Sequence, residues 1–499
     1  MKNKSLNSLQ EKINSIKNLV GNKNDLVIKD IIINEPSNIE ASLLYINGLV
    51  NNETISRDIL KPLMLNIKED LKTMNNLEET LCKKYIYLSN TLIEEDVVNA
   101  VFHLKRGKSI LVLQGGTKFI IFDTTGGEYR SISDSINEAS IRGSRESFVE
   151  KLDTNVSLLR RHLKDNNLVE EKLTIGRKSQ TDLVLMYVDN IADKNIVDDI
   201  RSKLEAIDVD NVIASGFWEQ FMESNSYSIF PQAFFTERPD IVQANLLEGR
   251  IAVITDGTPF VATIPAIFFE FFQAIEDYNQ RTILSSFTRI LRYLAIFLVI
   301  TLPAIYVTFI KFNSELIPFE FLGAIIESRK GIALTPFMSI LSMSMIVDFL
   351  REGGLRLPLK IAQTLSVVGG IIIGDAAIKA KIVSSTTLLV VGISTVATFL
   401  IPNYEMAVSI RLISYPMLFL GNFLGMFGIA IGWFFLIAYL CSLESYGIPY
   451  FKIHKSDLKD IIVRAPVDKF NERPKIIPNT NPTRQSNVRD LLRRKKNGK

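Results

Sequence analysis

Residues 293–310, YLAIFLVITLPAIYVTFI, form an uncharged and almost wholly apolar run. At a rise of 1.5 Å per residue, roughly 20 apolar residues cross the hydrocarbon layer of a bilayer, so this run and its flanks predict a membrane-spanning helix. Arg289 and Arg292 stand just before the run. Basic residues favour the cytoplasmic side, which predicts that this helix starts there.

Further apolar stretches follow as far as residue 443. They are Ile332–Val347, Ile361–Ile378, Ile382–Ile401 and the longer Leu412–Leu443. Residues 290–443 are therefore predicted to form an all-α polytopic membrane domain with four to six crossings. An even number of crossings would return the C-terminal tail to the side on which the N-terminal half lies.

Charge is distributed unevenly along the chain. Residues 1–289 hold 33 Lys/Arg and 41 Asp/Glu, whereas residues 444–499 hold 14 and 6. The acidic first half argues against nucleic-acid binding. It also lacks a signal-peptide pattern at its start, so we expect it to be cytoplasmic. With 2 Cys and 3 well-separated His, the sequence favours neither a disulfide scaffold nor a metal site.

The first half is predicted to be a soluble α/β region of two small subdomains, residues 1–140 and 141–289. Helical spacing marks residues 40–100, and SILVLQGGTKFIIF, 109–122, predicts two strands around a turn. Further strands are predicted at 183–188, 211–214, 250–255 and 261–265, with helices at 146–164, 193–208 and 237–247. The proline-containing basic tail, residues 444–499, is predicted to be mostly disordered and cytoplasmic.

Several motifs resemble one known family. They are EASIRGSRESFVEKLDTNVSLLRRHLKD (138–165), FPQAFFTERPDIVQANLLEGRIAVITDGTPF (230–260), EDYNQR (276–281), LREGGLRLPLKIAQTLSVVGGIIIGDAAIKAKIVS (350–384) and FLIPNYEMAVSIRL (399–412). In this order and spacing they resemble the A subunit of spore germinant receptors, the GerA family of spore germination proteins.

The resemblance implies a function and a set of partners. Such subunits lie in the spore inner membrane as multi-pass proteins. They work with a transporter-like B subunit and a lipoprotein C subunit. They are proposed to assemble as homo-oligomers around a cation-conducting pore whose opening triggers germination.

Ionisable residues in the membrane half are the candidates for such a pathway. Asp348 and Asp375 come first and Glu327 next, because carboxylates inside a membrane are costly and rings of them attract cations. The alternative is neutralisation: Asp348 and Glu352 pair with Arg351 or Arg356 at the membrane surface, and Asp375 pairs with Lys379 one helical turn later.

Two other groups of residues are structural candidates. Glu237, Arg238, Asp240 and Arg250 could form a salt-bridge network that locks domains or subunits together, although capping of a helix by Thr236 is the simpler interpretation. Gly421, Gly425, Gly428 and Gly432 recur at helical spacing, and Gly370 and Gly374 repeat it once. Glycines on one helix face would let another helix approach closely, within one subunit or between subunits.

The basic run Arg493–Lys496 could contact anionic membrane lipid, or could be solvated.

No nucleotide-binding or nucleophile motif is present, so neither an enzyme nor a cofactor is expected. The leading interpretation is a germinant receptor subunit with a conducting membrane half. The alternatives are a non-conducting signalling scaffold for a sensing partner and a secondary transporter, although no convincing internal repeat supports the transporter.

Overall fold

A computed structural model describes residues 9–20, 26–33, 38–67, 69, 71, 76–88, 90–126, 138, 140, 142–357 and 372–486. The chain forms two compact units. The first comprises Met1–Glu223, Ala233–Pro265 and Glu472–Arg484, and the second comprises Ser224–Gln232, Ala266–Asn471 and Gln485–Lys499.

The first subdomain of the first unit is built on a five-stranded antiparallel sheet. Its strands are β1 (Leu26–Ile33), β2 (Ile39–Ile46), β3 (Thr91–Glu94), β4 (Ser109–Leu113) and β5 (Phe119–Phe122), in the order β1-β2-β4-β5-β3. Helices α1 (Leu9–Val20), α2 (Leu77–Lys84) and α3 (Val97–Leu104) accompany it. Both faces are covered: Leu43 belongs to one apolar cluster and its neighbour Leu44 to another.

The second subdomain repeats this arrangement. Its strands are β6 (Leu168–Ile175), β7 (Thr181–Val188), β8 (Phe234–Thr236), β9 (Ile251–Thr255) and β10 (Val261–Ile264), in the order β6-β7-β9-β10-β8. Helices α4 (Leu152–His162), α5 (Lys194–Glu205), α6 (Ser215–Met222) and α7 (Pro239–Leu247) accompany it. Every strand pair is antiparallel, as in the first sheet. The first unit is therefore a duplication in topology, which the sequence did not reveal.

The predicted mixture of helices and strands is confirmed, with local errors. The strand pair in 109–122 and the strands at 183–188, 250–255 and 261–265 are present. The predicted strand at 211–214 is a loop, and strands β2 and β3 lie where helical spacing was noted. A strand that is buried on both faces, such as β2, loses the alternation that distinguishes strand from helix.

The segment after the last long helix also differs from the expectation of disorder. Residues 472–484 pack in the first unit, where Arg473 Nε donates to the Leu247 carbonyl at 2.6 Å and Thr480 N to the Ile191 carbonyl at 2.8 Å. Ile476 and Ile477 are buried. This segment is held in place by apolar and backbone contacts with residues that are distant in the sequence. Residues 487–499, which include the basic run Arg493–Lys496, lie outside the described residues.

Helices dominate the second unit. They are α8 (Thr282–Lys311), α9 (Phe319–Arg329), α10 (Pro336–Leu355), α11 (Ser385–Thr398) and α12 (Tyr404–Ser442), with a further helical stretch at 372–379. Among the described residues, α8 and α12 are long and apolar enough to cross a membrane. Of the predicted run 361–378, residues 361–371 lie outside the described residues.

Helix α12 is a hairpin of two helical arms. Gly425 has φ 64° and ψ −145°, which is not helical. A Cβ on Gly432 would lie 2.6 Å from Met417 Sδ, although 15 residues of straight helix span roughly 22 Å. At the open end of the hairpin, Ser409 Oγ donates to the Ile229 carbonyl at 2.6 Å, and the Tyr439 ring lies 6.2 Å from the neighbouring Phe230.

The hairpin changes the interpretation of the glycines. Gly421, Gly425, Gly428 and Gly432 do not share one face of a straight helix, because the chain reverses among them. A Cβ on Gly428 would overlap the Leu420 carbonyl oxygen in the opposite arm, and one on Gly421 would lie 3.1 Å from Ala304 of α8. These glycines therefore permit close packing within one chain. Gly374 lies against Leu388, and Gly370 is outside the described residues.

We predict that Gly425→Ala destabilises the second unit by about 1–3 kcal/mol, because a Cβ is strained at this backbone conformation. Gly392→Ala is the matched control: Gly392 lies inside α11 with open space around it, so alanine there should be neutral or slightly stabilising. Thermal unfolding of the full chain in detergent, followed by circular dichroism, measures both. Equal midpoints for the two variants would contradict the hairpin.

Candidate functional site

A buried carboxylate stands at the root of the first long helix. Asp277 lies in the short helix Ile275–Asn279, directly before α8, and its side chain is 1% exposed. It accepts from Arg289 Nε at 2.9 Å and from Arg292 at 2.6 Å and 3.0 Å. Arg289 is also 1% exposed. Two guanidinium groups thus share one carboxylate that is removed from solvent.

A second carboxylate comes from the far end of the chain. Arg289 Nη1 lies 2.8 Å from Asp460 Oδ1, across 171 residues of sequence. The Tyr278 hydroxyl donates to the same carboxylate at 2.9 Å. We call Asp277, Arg289, Arg292 and Asp460 the ion-pair hub.

The neighbouring residues support the ion-pair hub from both sides. Arg464, which is 3% exposed, donates to the carbonyls of Gln280 at 3.0 Å and Tyr278 at 3.2 Å. The Tyr293 hydroxyl donates to the Ile461 carbonyl at 2.9 Å. The chain just before α8 and the chain after α12 are therefore held together.

Local sequence explains how the ion-pair hub forms. Arg289 and Arg292 are three residues apart on α8, so they share one helix face. Ser285, one turn earlier on that face, donates to the Asp277 carbonyl at 2.7 Å. A buried pair fixes geometry more reliably than it adds stability, since desolvation offsets much of the attraction. From the sequence, both arginines indicate only the orientation of the helix, because their carboxylate partners cannot be identified by spacing.

Asp348 is neutralised, but by a different arginine from those considered. Arg411 Nε lies 3.2 Å from Asp348 Oδ1, and the Tyr415 hydroxyl donates to the other carboxylate oxygen. Arg356 pairs instead with Glu352 on the exposed end of α10. The partner on α12 could not be found from spacing, because it lies 63 residues further along the chain.

The other two acidic candidates are exposed. Asp375 pairs with Lys379 at 2.7 Å, the i,i+4 arrangement considered in the sequence, with both side chains more than half exposed. Glu327 lies on α9 and has no ion-pair partner within the described ranges. Glu327 is thus the candidate carboxylate that no described cation neutralises.

The predicted network around Arg238 is brought together in part. The Arg238 side chain is 1% exposed and binds Asp240 through two hydrogen bonds, 3.1 Å and 2.7 Å. It also donates to the carbonyls of Glu138 and Ser144, each at 2.9 Å. These contacts lock the segment before α4 onto the start of α7, within one subdomain. The helix begins at Pro239 with Arg238 as its N-cap residue, rather than Thr236.

The other two members of the predicted network have different contacts. The main-chain carbonyl of Glu237 accepts from Phe148 N at 2.8 Å, and Arg250 lies 3.5 Å from Glu248. Burial raises the pKa of the nearby Glu138 carboxyl to about 7. The Thr236 hydroxyl donates to that carboxyl.

The family described as Bacillus/Clostridium GerA spore germination protein matches residues 14–476. The chain belongs to the GerA family. The predicted spore germinant receptor A subunit is thereby confirmed.

Relatives in the GerA family are similar over most of their length. Spore germination protein KA of Bacillus subtilis (strain 168) is 35% identical over 96% of this chain and 88% of its own. Spore germination protein B1 of the same organism is 34% identical over 93% and 96%. The N-terminal domain of the A subunit of the Bacillus megaterium spore germinant receptor GerK3 is 32% identical, with 54% of this chain and 99% of that chain covered and a TM-score of 0.41. The family match and the two Bacillus subtilis relatives place this GerA-family chain in spore germination.

We predict that Asp277→Asn lowers the free energy of unfolding by about 3–5 kcal/mol, because it leaves two arginines without their shared buried carboxylate. Asp375→Asn is the control, since an exposed i,i+4 pair contributes only about 0.3–0.5 kcal/mol. Thermal unfolding in detergent compares the two variants. A loss of similar small size in both would show that the ion-pair hub does not hold the second unit together.

Proposed function

We propose that this GerA-family chain is the multi-pass membrane subunit of a nutrient germinant receptor and forms an oligomeric pore that conducts monovalent cations. The ordered set of apolar helices in the second unit supports this proposal, together with the family. The pore would open when a partner subunit senses the nutrient, and cation release would start germination.

The direction of each helix supports six crossings. Helix α8 starts at the ion-pair hub and ends beside the tip of the hairpin, where the Lys311 ammonium donates to the Asn422 carbonyl at 2.8 Å. The second arm of α12 runs back, since Trp433 Nε1 donates to Thr301 Oγ1 at 3.2 Å. Helix α8 and the two arms thus account for three crossings.

Helices α10 and α11 both start near the tip of the α12 hairpin and run in the direction of the ion-pair hub. Phe337, at the start of α10, lies 5.1 Å from Phe419 near the tip, while Asp348 pairs with Arg411 near the other end. Thr386, at the start of α11, lies 2.9 Å from the Tyr306 hydroxyl, and Arg351 of α10 donates to the Thr395 carbonyl further along α11. Two successive helices in one direction agree with the upper end of the predicted four to six crossings.

An even number of crossings agrees with the C-terminal segment. Residues 472–484 belong to the first unit, which supports a topology in which the chain before α8 and the chain after α12 lie on one side of the membrane. Arg281, Arg289 and Arg292 at the start of α8 favour the cytoplasm for that side. We therefore place both soluble parts in the cytoplasm, at the spore inner membrane.

The cation path is best assigned to Glu327. Asp348 is paired with Arg411 and Asp375 with Lys379, whereas Glu327 remains unneutralised within the described part of the chain. In a ring of subunits, repeated Glu327 carboxylates would attract cations, as charged rings do in other channels. A transporter-like B subunit would supply the nutrient signal, with a lipoprotein C subunit as the third partner.

One observation also favours the non-conducting scaffold: two of the three candidate carboxylates are already neutralised. Cation flux into liposomes that contain the purified chain alone distinguishes the two functions. The pore predicts flux, a several-fold reduction in Glu327→Gln, and little change in the control Asp375→Asn. Absence of flux without a partner would favour the scaffold, and flux unaltered by Glu327→Gln would remove Glu327 from the path.

A further inference from the structure

A small polar pocket lies among the apolar helices of the second unit. Its volume is about 30 Å³, and α8, α10, α11 and the first arm of α12 surround it. The polar side chains that line it include those of Asp348, Arg351, Ser394, Thr398, Arg411 and Tyr415. The remaining wall is mostly aliphatic, with Val299, Ile340 and Val391 among its residues.

Positive charge exceeds negative charge around this pocket. Two guanidinium groups, of Arg351 and Arg411, face one carboxylate, of Asp348. The other ionisable groups that act on Arg351 are the phenols of Tyr404 and Tyr415. The pocket therefore carries a net charge of about +1 within an apolar bundle, where an uncompensated charge is costly.

One guanidinium donor in the pocket wall has no hydrogen-bond partner among the described residues. Arg351 donates through Nη2 to the Thr395 carbonyl, but its buried Nε has no hydrogen-bond partner within the described ranges. The Nε atom of Arg411 is paired with the Asp348 carboxylate. The neighbouring hydroxyls of Ser394 and Thr398 donate to the carbonyls of Val299 and Ser394, at 3.4 Å and 3.0 Å. One buried N–H group without a partner and excess positive charge at one pocket favour an anion.

We propose that this pocket binds a single halide ion such as chloride. A pocket of about 30 Å³ has room for a particle of about the size of a water molecule, so a monatomic anion fits. The ion would accept from the two guanidinium groups and balance the extra charge. Asp348 then belongs to an anion site and not to a cation path, and the site exists whether or not the chain conducts.

Chloride binding to the full chain in detergent tests the proposal through the chlorine-35 NMR line width, with bromide as competitor and gluconate as the inert anion. Arg411→Gln should weaken chloride binding about tenfold or more, since it removes a charge-assisted donor. Asp348→Asn should act in the opposite direction and tighten binding, because it removes the competing negative charge. Arg356→Gln, which alters an exposed pair on the same helix, is the control and should bind as the natural protein does.

The two variants should change chloride affinity in opposite directions, which distinguishes a halide site from an ion pair with only a structural role. Circular dichroism first shows that each variant is folded. Line broadening that bromide reverses, weakened in Arg411→Gln and strengthened in Asp348→Asn, supports the site. No broadening above the detergent background, or identical broadening in all four proteins, would overturn it and leave the pocket to water.

Discussion

The second unit depends on one buried charge arrangement, in which the Asp277 carboxylate is shared by Arg289 and Arg292 and Arg289 also holds Asp460. Charges this deeply buried tolerate little displacement, since each would lose a partner that solvent cannot replace. The arrangement therefore fixes the start of α8 relative to the chain that follows α12. The directions of the other helices can be described relative to the ion-pair hub.

A single glycine completes the framework at the opposite end. Gly425 allows the chain to reverse between the two arms of α12, and α8 ends beside that reversal. The helical unit is thus defined between two levels, the ion-pair hub and the hairpin tip. Charged residues near the hub level, including Asp348 and Arg411, are paired across helices, whereas Glu327 lies on the short α9 that follows the end of α8.

The sequence predicted what local patterns encode and missed what distant residues determine. The apolar run 293–310 indicates α8 by length and composition, and the turn within 109–122 indicates β4 and β5 by its glycines. Strand β2 was missed because burial of both its faces removes the alternation. The Asp348–Arg411 pair, the contact of Asp460 with Arg289 and the packing of residues 472–484 join residues far apart in sequence, and no spacing rule reveals them. The duplication of the two sheets lies in strand order rather than in sequence similarity.

The most direct test is a cross-link between the chain just before α8 and the chain that follows α12. In a Cys82→Ser, Cys441→Ser background, Gln280→Cys and Ile462→Cys are treated in native membranes with a short bifunctional maleimide. The account predicts efficient intramolecular cross-linking, and none for the pair Gln280→Cys and Asn313→Cys, which about 45 Å of helix separates. Failure of the first pair to react, or equal reaction of both pairs, would contradict the conclusion that the ion-pair hub holds the start of α8 against the chain that follows α12.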